Sequence, residues 1–191
     1  AFEDPRCRLQ VGDGRAYIEK TEDTFDVVIM DMTDPFGPST MLYTQEFFQA
    51  IKNTLRDDNG YFVMHCESPI VRPVAYQQIL KTLSNVFKYQ HVVYIYIQMY
   101  SVLWSIVINS DNENVPDIDK EEIIKRIQER NIQDLQVYTA DTHHAMQAEY
   151  PFIQTIRKQA VDVPAIVDAA PVFQDEGAYE AADVPLELKE I

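Results

Sequence analysis

Glycine is scarce: the 191 residues contain five, Gly12, Gly14, Gly37, Gly60 and Gly177. They form no G-x-G-x-x-G run, so the glycine loop with which α/β nucleotide-binding proteins cradle a pyrophosphate is absent from this chain. Cysteine is scarcer. Cys7 and Cys66 show no spacing logic. They argue against a disulfide framework and for a reducing, cytoplasmic compartment. Basic residues are few: 16 Lys+Arg against 31 Asp+Glu leave a net charge of −15. A nucleic-acid binder needs a basic footprint to release counterions, so no nucleic-acid partner is expected. The acid excess suits solubility or a cationic ligand. No apolar run approaches the ~20 residues that span a bilayer, so no membrane partner is expected either. No basic-then-apolar stretch opens the chain, so no signal peptide is expected. What remains is an ordinary globular mix, 46% hydrophobic and 25% charged, enough to bury a core in one domain.

The hydrophobic pattern orders that domain. Cys7–Val11 reads as a strand, Gly12-Asp13-Gly14 as a turn and Arg15–Lys20 as a short helix. Phe25–Met30 is β-branched and almost wholly apolar, as expected of a strand buried on both faces. A loop rich in Asp, Thr, Pro and Gly follows over Asp31–Leu42. Thr44 can cap a helix to about Leu55, with Phe47, Phe48, Ile51 and Leu55 on one stripe. Tyr61–Cys66 reads as a strand and Pro73–Phe87 as a helix. His91–Ile97 and Leu103–Asn109 are strands whose short link predicts an antiparallel hairpin. The order predicts an α/β sheet with an antiparallel strand at one edge. Asp119 and Glu122 make a capping-box-like start to a helix through Arg130, and Thr142–Lys158 reads as one or two more helices. Residues 161–191 hold eight acids and one lysine, a net of −7, and read as a flexible or loosely docked acidic tail after a domain of residues 1–160.

Ligands of open α/β sheets bind beyond the carboxyl ends of the strands. Three such ends carry acids here: Asp13 after the first predicted strand, Asp31 and Asp34 after the second, Glu67 after the third. Converging carboxylates suit cations or amino and hydroxyl donors. Taken singly, Asp13 reads equally as a turn former and Asp31 and Asp34 as loop or cap acids, while Glu67 reads as a solvated loop acid. His65, Cys66, His143 and His144 lack metal-ligand spacing, so no metal is expected. Cys66 has no argued base and reads as a buried strand residue.

Val11-Gly12-Asp13-Gly14, the run from Phe25 to Pro38 containing Asp31-Met32-Thr33-Asp34-Pro35, and then Leu42-Tyr43 and Phe47-Phe48, together resemble the polyamine aminopropyltransferases, the spermidine, spermine and thermospermine synthases. The family pattern is a GDG turn, a strand ending in D-x-[ST]-D-P-x-G-P and a helix opening with L-[FY]. Tyr100 in the hairpin loop, Trp104 after it and the Tyr138-Thr139…His143…Ala145 stretch agree, so the resemblance runs over about residues 3–158. It implies a Rossmann-like, methyltransferase-type fold, of which this chain would be the C-terminal half. It implies transfer of an aminopropyl group from decarboxylated S-adenosylmethionine, a co-substrate rather than a cofactor, to an amine such as putrescine or spermidine. By the same resemblance Asp31 would be the base and Tyr100 its helper. Asp13 and Gly14 would contact the adenine and Pro38 would pack on its face. Asp34 would hold another ammonium or help shape the gate over the site, and Trp104 would wall the aliphatic chain; Glu67 is a candidate substrate-binding residue from its place at the third strand end.

Two departures bear on the acceptor. Tyr100-Ser101-Val102 lacks the Pro and Gly usual in the family's hairpin loop, and His65-Cys66-Glu67 stands where the family often has Gln-x-Glu or Gln-Ala-Gly. The family's glycine loop and ribose-gripping acid lie upstream of the matched region. The chain is therefore expected to need an N-terminal half, or to associate with itself. A methyltransferase with the same sheet, and a non-catalytic half-domain that docks on a partner chain, are the alternatives.

Overall fold

The computed structural model describes residues 2–35, 37–113 and 118–173. Helix α1 (Gly14–Lys20) starts at Asp13, whose carboxylate accepts from the Ala16 N–H. Strand β1 (Val27–Met30) leads through the acid loop and a 3₁₀ turn (Gly37–Leu42) to helix α2 (Gln45–Asn53). The Thr44 hydroxyl caps α2 by accepting from Phe47 N–H, as its sequence predicts. A turn then closes on Gly60, where a Cβ would lie 2.7 Å from that of Leu55, so only glycine fits without a shift. Strand β2 (Tyr61–His65), helix α3 (Pro73–Ser84) and the hairpin of β3 (Tyr89–Ile97) and β4 (Val102–Ser110) follow. Helices α4 (Lys120–Glu129), α5 (Ala140–Gln147) and α6 (Pro151–Lys158) follow, and a 3₁₀ turn (Gln159–Asp162) leads into the last described segment.

The sheet order is β1-β2-β4-β3. β1 and β2 are parallel, with Met30 opposite Met64, and β4 runs antiparallel to both β2 and β3. The mixed α/β sheet is the fold class the pattern predicts, with one refinement: the reversed strand is second from the edge, and β3 forms the edge. A short hairpin link requires only that β3 and β4 pair, and β2 takes the outer ladder of β4.

The main core lies between the sheet and helices α2 and α3. Phe48 meets Phe62 with ring centroids 5.7 Å apart, and Phe62 stacks on Phe87 at 5.9 Å. Ile51, Ile79, Leu83 and Val107 fill the space around them at 0–1% exposure. Each such side chain contributes about 1.5–3 kcal/mol by leaving water.

Three expectations change. Cys7–Val11 forms no strand: all five residues are exposed, and no other segment lies beside them among the described residues to complete a ladder. Phe25–Met30 is not covered on both faces, since Val27 is 49% and Ile29 72% exposed. Residues 161–173, assigned to the tail, dock on the body. Ile166 is fully buried, its N–H donates to Thr82 Oγ1 and its carbonyl accepts from the Gln45 N–H. Asp168 pairs with Arg15 at 2.5 Å, and the Phe173 ring meets Tyr43 edge-on at 5.6 Å. Apolar residues among the acids anchor this stretch. The remainder of the expected tail, 174–191, lies outside the described residues.

Candidate active site

Because β1 and β2 are parallel and in register, their carboxyl ends emerge together. Asp31 follows Met30 directly, and Cys66-Glu67 follow His65. The antiparallel pairing of His65 with Ile106 places the start of β4, and hence the hairpin loop, beyond the same end. Acids from two strand ends and aromatics from a third element thus share one edge.

They enclose a cleft of about 450 Å³. Asp34 comes from the acid loop; Glu67, Ser68, Val71 and Arg72 come from the segment before α3; Tyr100, Val102 and Trp104 come from the hairpin. The Tyr100 and Trp104 rings lie 5.2 Å apart and form one wall. Ser101, at φ 52°, takes the left-handed conformation that turns the loop without a glycine. Two carboxylates, one guanidinium and an aromatic-aliphatic wall suit a chain of methylenes carrying ammonium groups: the charges meet the acids, and the methylenes and cation edges meet the rings.

Glu67 is the most constrained of these residues. It is fully buried, and its φ of 59° is a left-handed value that a non-glycine residue holds only when its surroundings enforce it. Ser105 enforces it: the Ser105 N–H and hydroxyl both donate to the Glu67 carbonyl, at 3.1 and 2.6 Å. The Arg72 guanidinium lies 3.5 Å from the carboxylate. A carboxylate in a dry site needs such compensation, because one left alone costs several kcal/mol.

Behind the cleft, the His65 ring stacks on Trp104, with centroids 6.0 Å apart. Its Nε2 lies 3.0 Å from the Met32 carbonyl and 3.1 Å from the Tyr43 hydroxyl. Burial holds the imidazole pKa below its ordinary value, against the opposing pull of Asp34, the Met32 hydrogen bond and Asp31. Burial first, then the Glu67 and Asp34 charges, push the Tyr43 phenol far up, so it stays protonated.

The structure thus brings Asp34, Glu67, Tyr100 and Trp104 into one cleft. Asp31 is exposed at the end of β1, outside the cleft lining but near enough to His65 to act on its charge. Asp13 and Gly14 are exposed at the start of α1, where Asp13 caps the helix, and Pro38 is exposed in the 3₁₀ turn. Sequence reasoning misses Arg72, Ser105 and the pairing of His65 with Tyr43. A lone arginine just before Pro73, at an edge otherwise lined with acids, is the one signal for the first. Cys66 is fully buried, and burial raises its thiol pKa well above normal, which suits a packing role. No cluster of three metal-ligating side chains occurs among the described residues.

A family model for the spermine/spermidine synthase domain matches residues 1–120. The chain belongs to this family. The polyamine aminopropyltransferase of Nitrosomonas europaea is 36% identical over 156 residues, 82% of this chain and 48% of that protein. That of Korarchaeum cryptofilum is 33% identical over 175 residues, 92% and 54%. Among solved structures, a spermidine synthase in complex with the transition state analogue AdoDATO superposes with a TM-score of 0.72 at 29% identity, over 82% of this chain and 53% of that one. The spermidine synthase from Thermotoga maritima gives 0.70 at 29% identity, over 82% and 52%. The fold is therefore the Rossmann-like, methyltransferase-type fold of the family, and the chain spans about half the length of the relatives it matches.

Proposed function

We propose that the protein to which this chain belongs makes polyamines by aminopropyl transfer from decarboxylated S-adenosylmethionine. The observation that carries the reading is the cleft: Asp34 and Glu67 face an aromatic wall of Tyr100 and Trp104 at the sheet's carboxyl edge. An alkyl amine has a solution pKa near ~10 and arrives as an ammonium. Asp34 and Glu67 hold ammonium groups while Trp104 flanks the methylenes. Asp31, exposed at the carboxyl end of β1, takes the proton that frees the lone pair, with the Tyr100 hydroxyl donating or accepting beside it. The amine nitrogen then attacks the methylene bonded to the sulfonium. The N–C bond forms as the C–S bond breaks, the bonding pair returns to sulfur, and neutral methylthioadenosine leaves. Asp13 and the Gly14 N–H contact the adenine and Pro38 packs on its face. No resident cofactor or metal takes part. The acceptor is a polyamine such as putrescine or spermidine.

The relatives do not favour the methyltransferase alternative. One described edge of β1 has no ladder partner, and Val27 and Ile29 are exposed beside it. That edge supports association, either with further chain of the same protein or as a homo-oligomer. Two free cysteines, Cys7 and Cys66, support a reducing, cytoplasmic setting. No helix among the described residues is long and apolar enough to cross a membrane.

The test incubates the full-length protein with decarboxylated S-adenosylmethionine and each amine, and follows methylthioadenosine. Its amine-dependent release is the expected result. Release of S-adenosylhomocysteine from S-adenosylmethionine would replace this reading with methyl transfer, and an inert protein would leave the docking module.

A further inference from the structure

We infer that His65 is a positioning residue which, with Tyr43, holds the Asp31–Asp34 loop in register with the aromatic wall; this rests on the proposed aminopropyl transfer. Asp31 and Asp34 bracket two residues, Met32 and Thr33, and the carbonyls of both are gripped. The Tyr43 hydroxyl donates to the Thr33 carbonyl at 3.0 Å. His65 Nε2 lies 3.0 Å from the Met32 carbonyl and 3.1 Å from the Tyr43 oxygen.

These contacts fix the tautomer twice over. A carbonyl can only accept, so Nε2 must carry the proton that reaches Met32. The phenol proton is committed to Thr33, so the Tyr43 oxygen also faces Nε2 as an acceptor. Nδ1 is left as a bare lone pair, buried and without a hydrogen-bond partner among the described residues. A polar ring closing a strand whose inner residues are Phe62 and Met64 carries a desolvation cost, and the grip on the loop offsets it.

Tyr43 is fully buried, so the phenol side of the clamp is shielded from water. The same imidazole stacks on Trp104. One ring therefore sets the distance from the acid loop to the wall, which is the distance an ammonium on a methylene chain must span. Loosening it leaves every reacting group present but misplaced. An error of ~1 Å in such a site costs up to about 100-fold in rate.

The experiment compares His65→Leu, His65→Gln and Tyr43→Phe in the full-length protein. His65→Leu is expected to lower kcat about 10- to 100-fold while leaving KM for decarboxylated S-adenosylmethionine near wild type. The side-chain amide of His65→Gln can donate to Met32 and is expected to restore most of kcat. Tyr43→Phe removes the Thr33 bond and the oxygen that His65 Nε2 faces, keeps the Met32 contact, and should fall between the two. If His65→Leu does not fold, the kcat of Tyr43→Phe decides the question: a loss supports the clamp and a wild-type value overturns it. A folded His65→Leu with wild-type kcat, or a Gln variant no better than Leu, overturns the inference. Imidazole nitrogen resonances of wild-type protein are expected to show a neutral, Nε2-protonated ring; Nδ1 protonation also overturns it. If the wild-type protein transfers no aminopropyl group, the functional reading fails, and these resonances still decide the clamp.

Discussion

Strands β1 and β2 are neighbours of similar apolarity with different surroundings. Val27-Val28-Ile29-Met30 pairs residue for residue with Tyr61-Phe62-Val63-Met64. β2 has a ladder on both sides and buries Phe62 and Met64 to 0–1% exposure. β1 has one ladder partner among the described residues, and Ile29 is 72% exposed. The acids beyond them differ in the same way: Asp31 is exposed, while Glu67 is sealed beside Arg72. An apolar run thus specifies a strand but not its cover. Under the proposed transfer, the buried acid beside Arg72 would hold a charge in place and the exposed acid would exchange a proton.

The largest effect that would break this division of labour is in turnover. Asp31→Asn in the full-length protein is expected to lower kcat by the ~10²–10⁴-fold typical of a lost general base, while methylthioadenosine still binds by calorimetry. Near-normal turnover would move the base role away from the end of β1.

Stability should separate the strands by nearly as much. Phe62→Ala is expected to cost about 3–5 kcal/mol in urea unfolding, because the ring sits between Phe48 and Phe87 with no room to collapse. Ile29→Ala in the same chain should stay within about 0.5 kcal/mol of zero. Equal costs would mean that β1 is covered after all.

Glu67→Gln keeps the shape and removes the fixed charge. Hydrogen bonds to charged groups are worth about 1.5–3 kcal/mol, so KM for the amine should rise at least ~10-fold with a smaller change in kcat. A kcat loss as large as that of Asp31→Asn would erase the distinction between the two acids.

The smallest expected effect is a pH dependence to which His65, at the end of β2, contributes. Burial holds the folded pKa of His65 below the ordinary 6.5. As pH falls through that value the unfolded chain takes up a proton that the fold resists, so stability is present above it and lost on acidification. His143 is shifted the same way, by burial and then by the charge of His144. Thermal melts between pH 8 and pH 5 should show Tm falling, and His65→Gln should flatten that slope. An unchanged slope would assign the effect to His143.

Much of this is legible from residues alone. Thr44 and Asp119 announce helix starts, and each accepts the capping bond expected of it; Asp13, read as a turn former, caps α1 as well. The acid run Asp31–Asp34, Tyr100 and Trp104 mark the family and, with Glu67, the working edge. Arg72 and Ser105 are not legible as site residues. Arg72 acts through space on Glu67, and Ser105 lies 38 residues further along the chain from the carbonyl it holds.

The sequence by itself determined the elements from helix α1 onward, the ends of β1 and β2 that carry acids, and the polyamine-synthase pattern. These rest on spacing within a turn or a strand, where neighbouring side chains and backbone donors meet without outside help. Only the tertiary structure decided that β4 inserts between β2 and β3, that Val27 and Ile29 stay in solvent and that residues 161–173 dock through Ile166. It also decided that His65 reaches the Met32 carbonyl. Ladder order and dehydration depend on contacts between segments tens of residues apart, and a local pattern carries no record of which segment arrives.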